Sequence, residues 1–173
     1  MKTAPTYAPH HLHRLDQLKG VALASFPARA TAFVIDFLAA FALFTLLAIY
    51  GAKLLYYFDL LDANANYQFK FNFTNWYSLI FIVLYYGLCT YFGNGQTPGK
   101  WLLKIRVLSL AHEHLSLWHS IERALGYGAS ALELGFGFLQ YFIHPNKQTV
   151  HDRIAETIVI NDNKKSNGFL ADR

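Results

Sequence analysis

ATAFVIDFLAAFALFTLLAIY, residues 30–50, decides how this chain folds: 21 residues with one charge among them, Asp36. Wound as an α-helix it spans roughly 31 Å, which matches the hydrocarbon thickness of a bilayer. A signal-peptide core is shorter, about 7–15 apolar residues. This run also has 29 residues ahead of it and leads straight into Lys53-Leu54-Leu55-Tyr56. It reads as a retained membrane anchor.

Working outward, residues 76–92 supply 17 uncharged positions, the lower end of the spanning range of about 17–25. A third, weaker run over 124–143 contains Glu133, Gln140 and glycines 126, 128, 135 and 137. Its glycines predict a broken or re-entrant course whose freed backbone groups are covered by protein. The composition agrees, with 54% hydrophobic, 17% aromatic and 15% charged residues in 173, against about 25% charged in soluble domains. A chain this short lacks the material to bury three apolar helices on every side. The expected fold is an all-α membrane protein, a small bundle of about three transmembrane segments. Residues 1–24 form a polar tail, 25–160 the membrane domain with spans near 30–50, 76–92 and 124–143, and 161–173 a second polar tail.

Lys and Arg exceed Asp and Glu by 15 to 11, a net charge of +4. The basic residues are spread over the segments between the runs, with no nucleic-acid module among them, so anionic lipid at basic cytoplasmic loops is the expected partner. Three lie in residues 1–28, two in 51–75, three in 94–120 and five in 144–173. The positive-inside rule then puts the N-terminus and 94–120 in the cytoplasm. Loop 51–75 faces outward, where Tyr56, Tyr57, Phe58, Trp76 and Tyr77 suit an interfacial belt. The C-terminal segment is pulled both ways, inward by its charges and outward by a single third crossing. Lys104 to Trp118 alternates like a short cytoplasmic β-hairpin, and Thr157-Ile158-Val159-Ile160 is strand-like. If these strands pair, the C-terminus is cytoplasmic.

An ionisable residue inside a spanning helix is costly and marks a function or a packing need, so Asp36 is the leading candidate. Arg29 lies seven positions earlier on the same helical face, about 10 Å away along the axis, where a third group or water would have to bridge the two. Small residues Ala32, Ala39 and Ala40 would let another helix approach. Gly95-Gln96-Thr97-Pro98-Gly99-Lys100 ends like a phosphate-binding loop, but Asn94 and Trp101 stand where that motif needs Gly and Ser or Thr. It reads instead as a turn, Pro98 fixing φ, that leads into a basic amphipathic stretch at the membrane surface. Glu122 and Arg123 open the third run as an interfacial pair, and Glu133 is an intramembrane acid that could join Asp36 on a proton or cation path. Cys89 is the single cysteine, and the histidines at 10, 11, 13, 112 and 114 lack further ligands, so no metal site is expected. No nucleophile, cofactor or catalytic motif is present, and the chain is not read as an enzyme.

Pro27-Ala28-Arg29-Ala30 with Asp36, Gly95-Gln96-Thr97-Pro98-Gly99-Lys100 followed by Ile105-Arg106-Val107, Arg123, and His151-Asp152-Arg153-Ile154-Ala155-Glu156-Thr157 together resemble the RDD family over residues 25–160. The resemblance implies that Arg29, Asp36 and Asp152 are the arginine and two aspartates of the family's name. Where the family usually has glycine before the last threonine, this chain has Glu156. A small multi-pass protein of the bacterial inner membrane is implied, in a family where cation/proton antiport is known. The resulting expectation is exchange of Na⁺, Li⁺ or K⁺ for H⁺ through Asp36, with Arg29 and Asp152 tuning it, Thr97, Pro98, Gly99, Lys100, Arg123, Glu133 and His151 in support, and a homo-oligomer supplying room for a gate. The alternative is a non-transporting membrane scaffold whose charged triad is structural.

Overall fold

The computed structural model describes residue 16 and residues 18–60, 70–112, 115–132 and 136–162. Helix α1 (Phe26–Tyr57) opens behind Ser25, an extended N-cap, with Pro27 in the first turn, where a missing N–H is harmless. Its 32 residues extend about 48 Å, and among the described residues it is the one helix long and apolar enough to cross a membrane. Its buried residues are Ala32, Asp36, Ala40 and Phe44, a single stripe at four-residue spacing. Val34, Leu38, Leu46 and Leu47 on the other faces are all exposed by half or more. Protein buries only 17% of the apolar window, far less than the core helix of a soluble protein requires.

Helix α2 (Trp76–Phe92) is apolar but shorter. Its small residue Gly87 faces Ile121 of α4 (Leu117–Leu132), where an added Cβ would sit 3.1 Å from Ile121 Cγ1. Tyr85 and Tyr86 of α2 pack with Ala40 of α1 and Ala124 of α4. Between α2 and α4 lie the one-turn helix α3 (Pro98–Leu102) and strand β1 (Ile105–Ser109). After α4 come α5 (Phe136–Ile143), α6 (Val150–Ile154) and strand β2 (Thr157–Asn161). The described part of the third apolar run falls in two helices, α4 and α5.

Among the described residues the expected local hairpin over 104–118 does not form. Strand β1 pairs antiparallel with β2 instead, Ile105 opposite Asn161 and Val107 opposite Val159. Ser109 Oγ accepts from Ala111 N at 3.2 Å and His112 N at 3.1 Å, turning the chain out of the strand. The polar stretch after that turn offers nothing to bury, whereas Thr157-Ile158-Val159-Ile160 covers both faces. Ile105, Val107 and Val159 pack on Ala24 and Ala32, and Leu108, Ile158 and Ile160 pack on Leu18. Along the far edge of β2, Leu23 bridges Ile160, and Ala24 N donates to Val159 O at 2.9 Å. The lead-in to α1, the exit from α2 and the residues after α5 therefore converge on one small sheet.

Candidate functional site

Among the described residues two carboxylates are fully buried, Asp36 and Asp152. Each is held by a different device. Asp36 meets the turn at 95–100. Thr97 is the N-cap of α3 and Pro98 follows it in the first turn, an arrangement favoured because it uses an orphan donor and forfeits none. Gly99 N donates to Asp36 Oδ1 at 2.7 Å, and the Thr97 hydroxyl donates to Asp36 Oδ2. A side chain at position 99 would strike the Ala32 carbonyl and come within 3.0 Å of Asp36 Oδ1, so the glycine permits the contact. The loop is fixed from below as well, since Val107 N donates to Gly95 O at 2.9 Å and Gly95 has φ +87°. Gln96, Arg106 and Asp162 bond one another beside it, Arg106 to Asp162 at 3.0 Å.

Lys100 corrects the sequence reading. Its neighbours Trp101 and Leu102 are exposed, but Lys100 itself is 6% exposed and points inward. No basic surface stretch is built here, because capping by Thr97 and the approach of Gly99 to α1 turn position 100 toward the interior. Burial pushes its ammonium pKa down.

Asp152 sits at the opposite side of the same region. Arg29 Nη1 donates to Oδ2 at 2.9 Å, Thr149 N to Oδ2 at 3.2 Å, and Arg123 Nη1 to Oδ1. Thr149 and Asp152 are three apart at the start of α6, so the carboxylate is also the acceptor of a capping box. The two arginines go further. Arg29 Nη2 donates to Val159 O at 3.1 Å and Arg123 Nη1 to Thr157 Oγ1 at 2.6 Å. Burial works to raise the Asp152 pKa, but Arg123, His151, Arg29 and the Thr149 N–H hold it well below the usual carboxylate range. His151 shares a 2.9 Å hydrogen bond with Thr149 Oγ1 and lies 4.3 Å from the Tyr127 ring, centroid to centroid. Burial pushes its imidazole pKa down to about 3, Arg123, Lys100 and Arg29 adding to the effect against Asp152.

Arg29 and Asp152 are thus in direct contact, while Asp36 bonds to neither and belongs to the Thr97–Gly99 contact. Arg123 joins the first group and leaves the surface position expected of it. Glu133 lies outside the described residues. Among those described, no three His, Cys, Asp or Glu residues are grouped to hold a metal ion. Thr149, Thr157 and Tyr127 were not singled out as site residues, although Thr149-x-x-Asp152 has capping-box spacing. The turn before β2 is also informative: Glu156, standing where the family usually has glycine, adopts φ +47°.

This site is made by a long apolar helix, a buried arginine–aspartate network and a small sheet, which together define a membrane-associated domain. Residues 23–156 match the RDD family, and the chain belongs to it. It matches no curated protein and no solved structure.

Proposed function

We propose that this chain is a multi-pass protein of the bacterial inner membrane that acts as a non-transporting scaffold, its buried charges locking a small cytoplasmic sheet onto the membrane helices. The observation that carries the reading is the use of the carboxylates. Both oxygens of Asp36 and both of Asp152 accept from protein donors. Carboxylates whose oxygens are both taken by protein donors are fixed in place, and a cation could enter only by displacing those donors. On this reading α1 and α2 cross the bilayer, α4 and α5 form a broken segment that returns to its starting side, and the N-terminus is cytoplasmic. Convergence of residues 22–24, 105–109 and 157–161 on one sheet supports that topology. Basic residues in the loops favour anionic lipid, the scaffold has no enzymatic activity, and its exposed helix faces suit a homo-oligomer.

One observation favours cation/proton exchange as the second reading: Asp36, Lys100 and Arg29 line a common cavity. Liposomes with a trapped pH dye, given Na⁺, Li⁺ and K⁺ pulses, separate the two. The scaffold reading expects no cation-dependent proton flux from folded wild type and lowered thermal stability of Asp36→Asn. A flux from wild type that disappears in an equally stable Asp36→Asn would establish exchange.

A further inference from the structure

Three cationic donors are left over when the network is complete. Lys100 Nζ, Arg29 Nε and Arg123 Nε are buried, and none has a hydrogen-bond partner among the described residues. All three side chains line one cavity of about 430 Å³, a volume in the range of small-ligand pockets. Lys100 and Arg123 are more than nine-tenths buried. Among the described residues the carboxylates of this region are Asp36 and Asp152, both already bonded, and the Tyr127 phenol also lines the cavity, so three basic side chains share two carboxylates. A buried surplus cation is costly unless an anion accompanies it.

The donors come from three elements, α1, α3 and α4. A tetrahedral oxyanion accepts from three directions at once, whereas a planar carboxylate offers two oxygens in one plane. The remaining walls are mixed, with Phe26, Phe33, Val34, Ile105 and Val159 on the apolar side and Asp36, Tyr86, Tyr127, Thr149 and His151 on the polar side. Val34 is 54% exposed on the uncovered face of α1, so the cavity opens toward the region where acyl chains would lie.

We propose that this cavity binds a phosphoryl group, with Lys100 as its principal cation and Arg29 and Arg123 completing the cradle. The phosphoryl group comes from an anionic phospholipid headgroup or from free phosphate. This inference does not depend on the scaffold reading, because ion flux and ligand binding are measured separately.

The test uses the full chain in neutral detergent, following its melting temperature with inorganic phosphate, with phosphatidylglycerol in mixed micelles, and with diacylglycerol of the same acyl chains. Wild type is compared with Lys100→Met and with Lys104→Met, the latter removing an exposed lysine. Methionine keeps the length of the buried side chain and removes its unpaired charge, so Lys100→Met should fold at least as well as wild type without ligand. Expected is a saturable rise in melting temperature that survives in Lys104→Met and is lost in Lys100→Met. A rise with phosphatidylglycerol alone assigns the site to a headgroup, and an equal rise with phosphate assigns it to the free anion. The absence of any rise, a rise unchanged in Lys100→Met, or an equal rise with diacylglycerol would each overturn the proposal. Native mass spectrometry of wild type gives a readout independent of any variant: one phospholipid or phosphate retained per chain supports the site, and none retained contradicts it.

Discussion

Arg29 and Asp152, 123 positions apart in the chain, are joined by a 2.9 Å ion pair, with the carboxylate wholly buried and the arginine side chain 12% exposed. The pair ties the first turn of α1 to the first turn of α6. Arg29 also reaches the backbone of β2, so a single side chain clamps α1, the capping box and the sheet together. Arg123 brings α4 into the same clamp. Charges desolvated this far stabilise a fold only when each has its partner.

The contact between α3 and α1 depends on having no side chain at position 99. Gly99→Ala would push a methyl group onto the Ala32 carbonyl and against Asp36, and should lose about 1–3 kcal/mol through overpacking. Gly51, also in α1, has nothing within 4 Å of an added Cβ. Gly51→Ala should therefore gain up to about 1 kcal/mol from helix propensity. Thermal unfolding of the two variants in detergent checks the contrast; equal effects would mean that α3 is not seated on α1.

Glu156 bears a left-handed backbone, φ +47°, that costs a residue with a side chain about 1–2 kcal/mol. Its own side chain is exposed. Glu156→Gly should stabilise the protein by about 1 kcal/mol, part of the gain being offset by the greater chain entropy of glycine. A loss of stability on chemical denaturation would show that the turn is not left-handed.

Acid should weaken the protein through His151. Its folded pKa is depressed from 6.5 to about 3, so the folded state prefers the neutral ring. The stability it contributes is whole above pH 6.5 and falls as the pH drops from there toward 3, with a limiting slope of about 1.4 kcal/mol per pH unit. Asp152 acts in the same direction at lower pH, its carboxyl being depressed below 3.8. Melting temperatures at pH about 7.5 and about 5 should differ less in His151→Gln than in wild type. Identical differences would place His151 in contact with solvent.

The shared sheet makes a topological prediction. In a Cys89→Ser chain, cysteines placed one at a time at the exposed positions Lys19, Lys104 and Arg153 should react with an impermeant maleimide from the same side of the membrane. A cysteine at Asp59, exposed just beyond α1, should react from the other. Labelling of Lys104 and Arg153 positions from opposite sides would exclude the pairing of β1 with β2 in the membrane.

Much of this was legible in the sequence because it rests on local chemistry. The run over 30–50 announces a long apolar helix, and β-branched residues mark β2. The motif residues Arg29, Asp36, Thr97, Gly99, Arg123 and Asp152 all fall in the buried region. What the sequence hid is pairing over distance. Arg29 and Asp36 share a helical face, which suggested a partnership, yet Arg29 lies near the helix end where Asp152 and the Val159 carbonyl outcompete it. Alternation in 104–118 showed that a strand begins there but not that its partner comes after α6. Lys100 looked like a surface lysine because its inward course follows from a cap and a missing Cβ, which hydropathy does not register.

The most direct test of the clamp is a double-mutant cycle on its central pair. Unfolding free energies would be measured for wild type, Arg29→Gln, Asp152→Asn and the double variant under one set of detergent conditions. Each single change should lose about 3–5 kcal/mol by leaving a buried charge without its partner, and the double variant should lose less than the sum by about 1–3 kcal/mol. Losses that add to within about 0.5 kcal/mol would mean that the two residues act independently and would contradict the account.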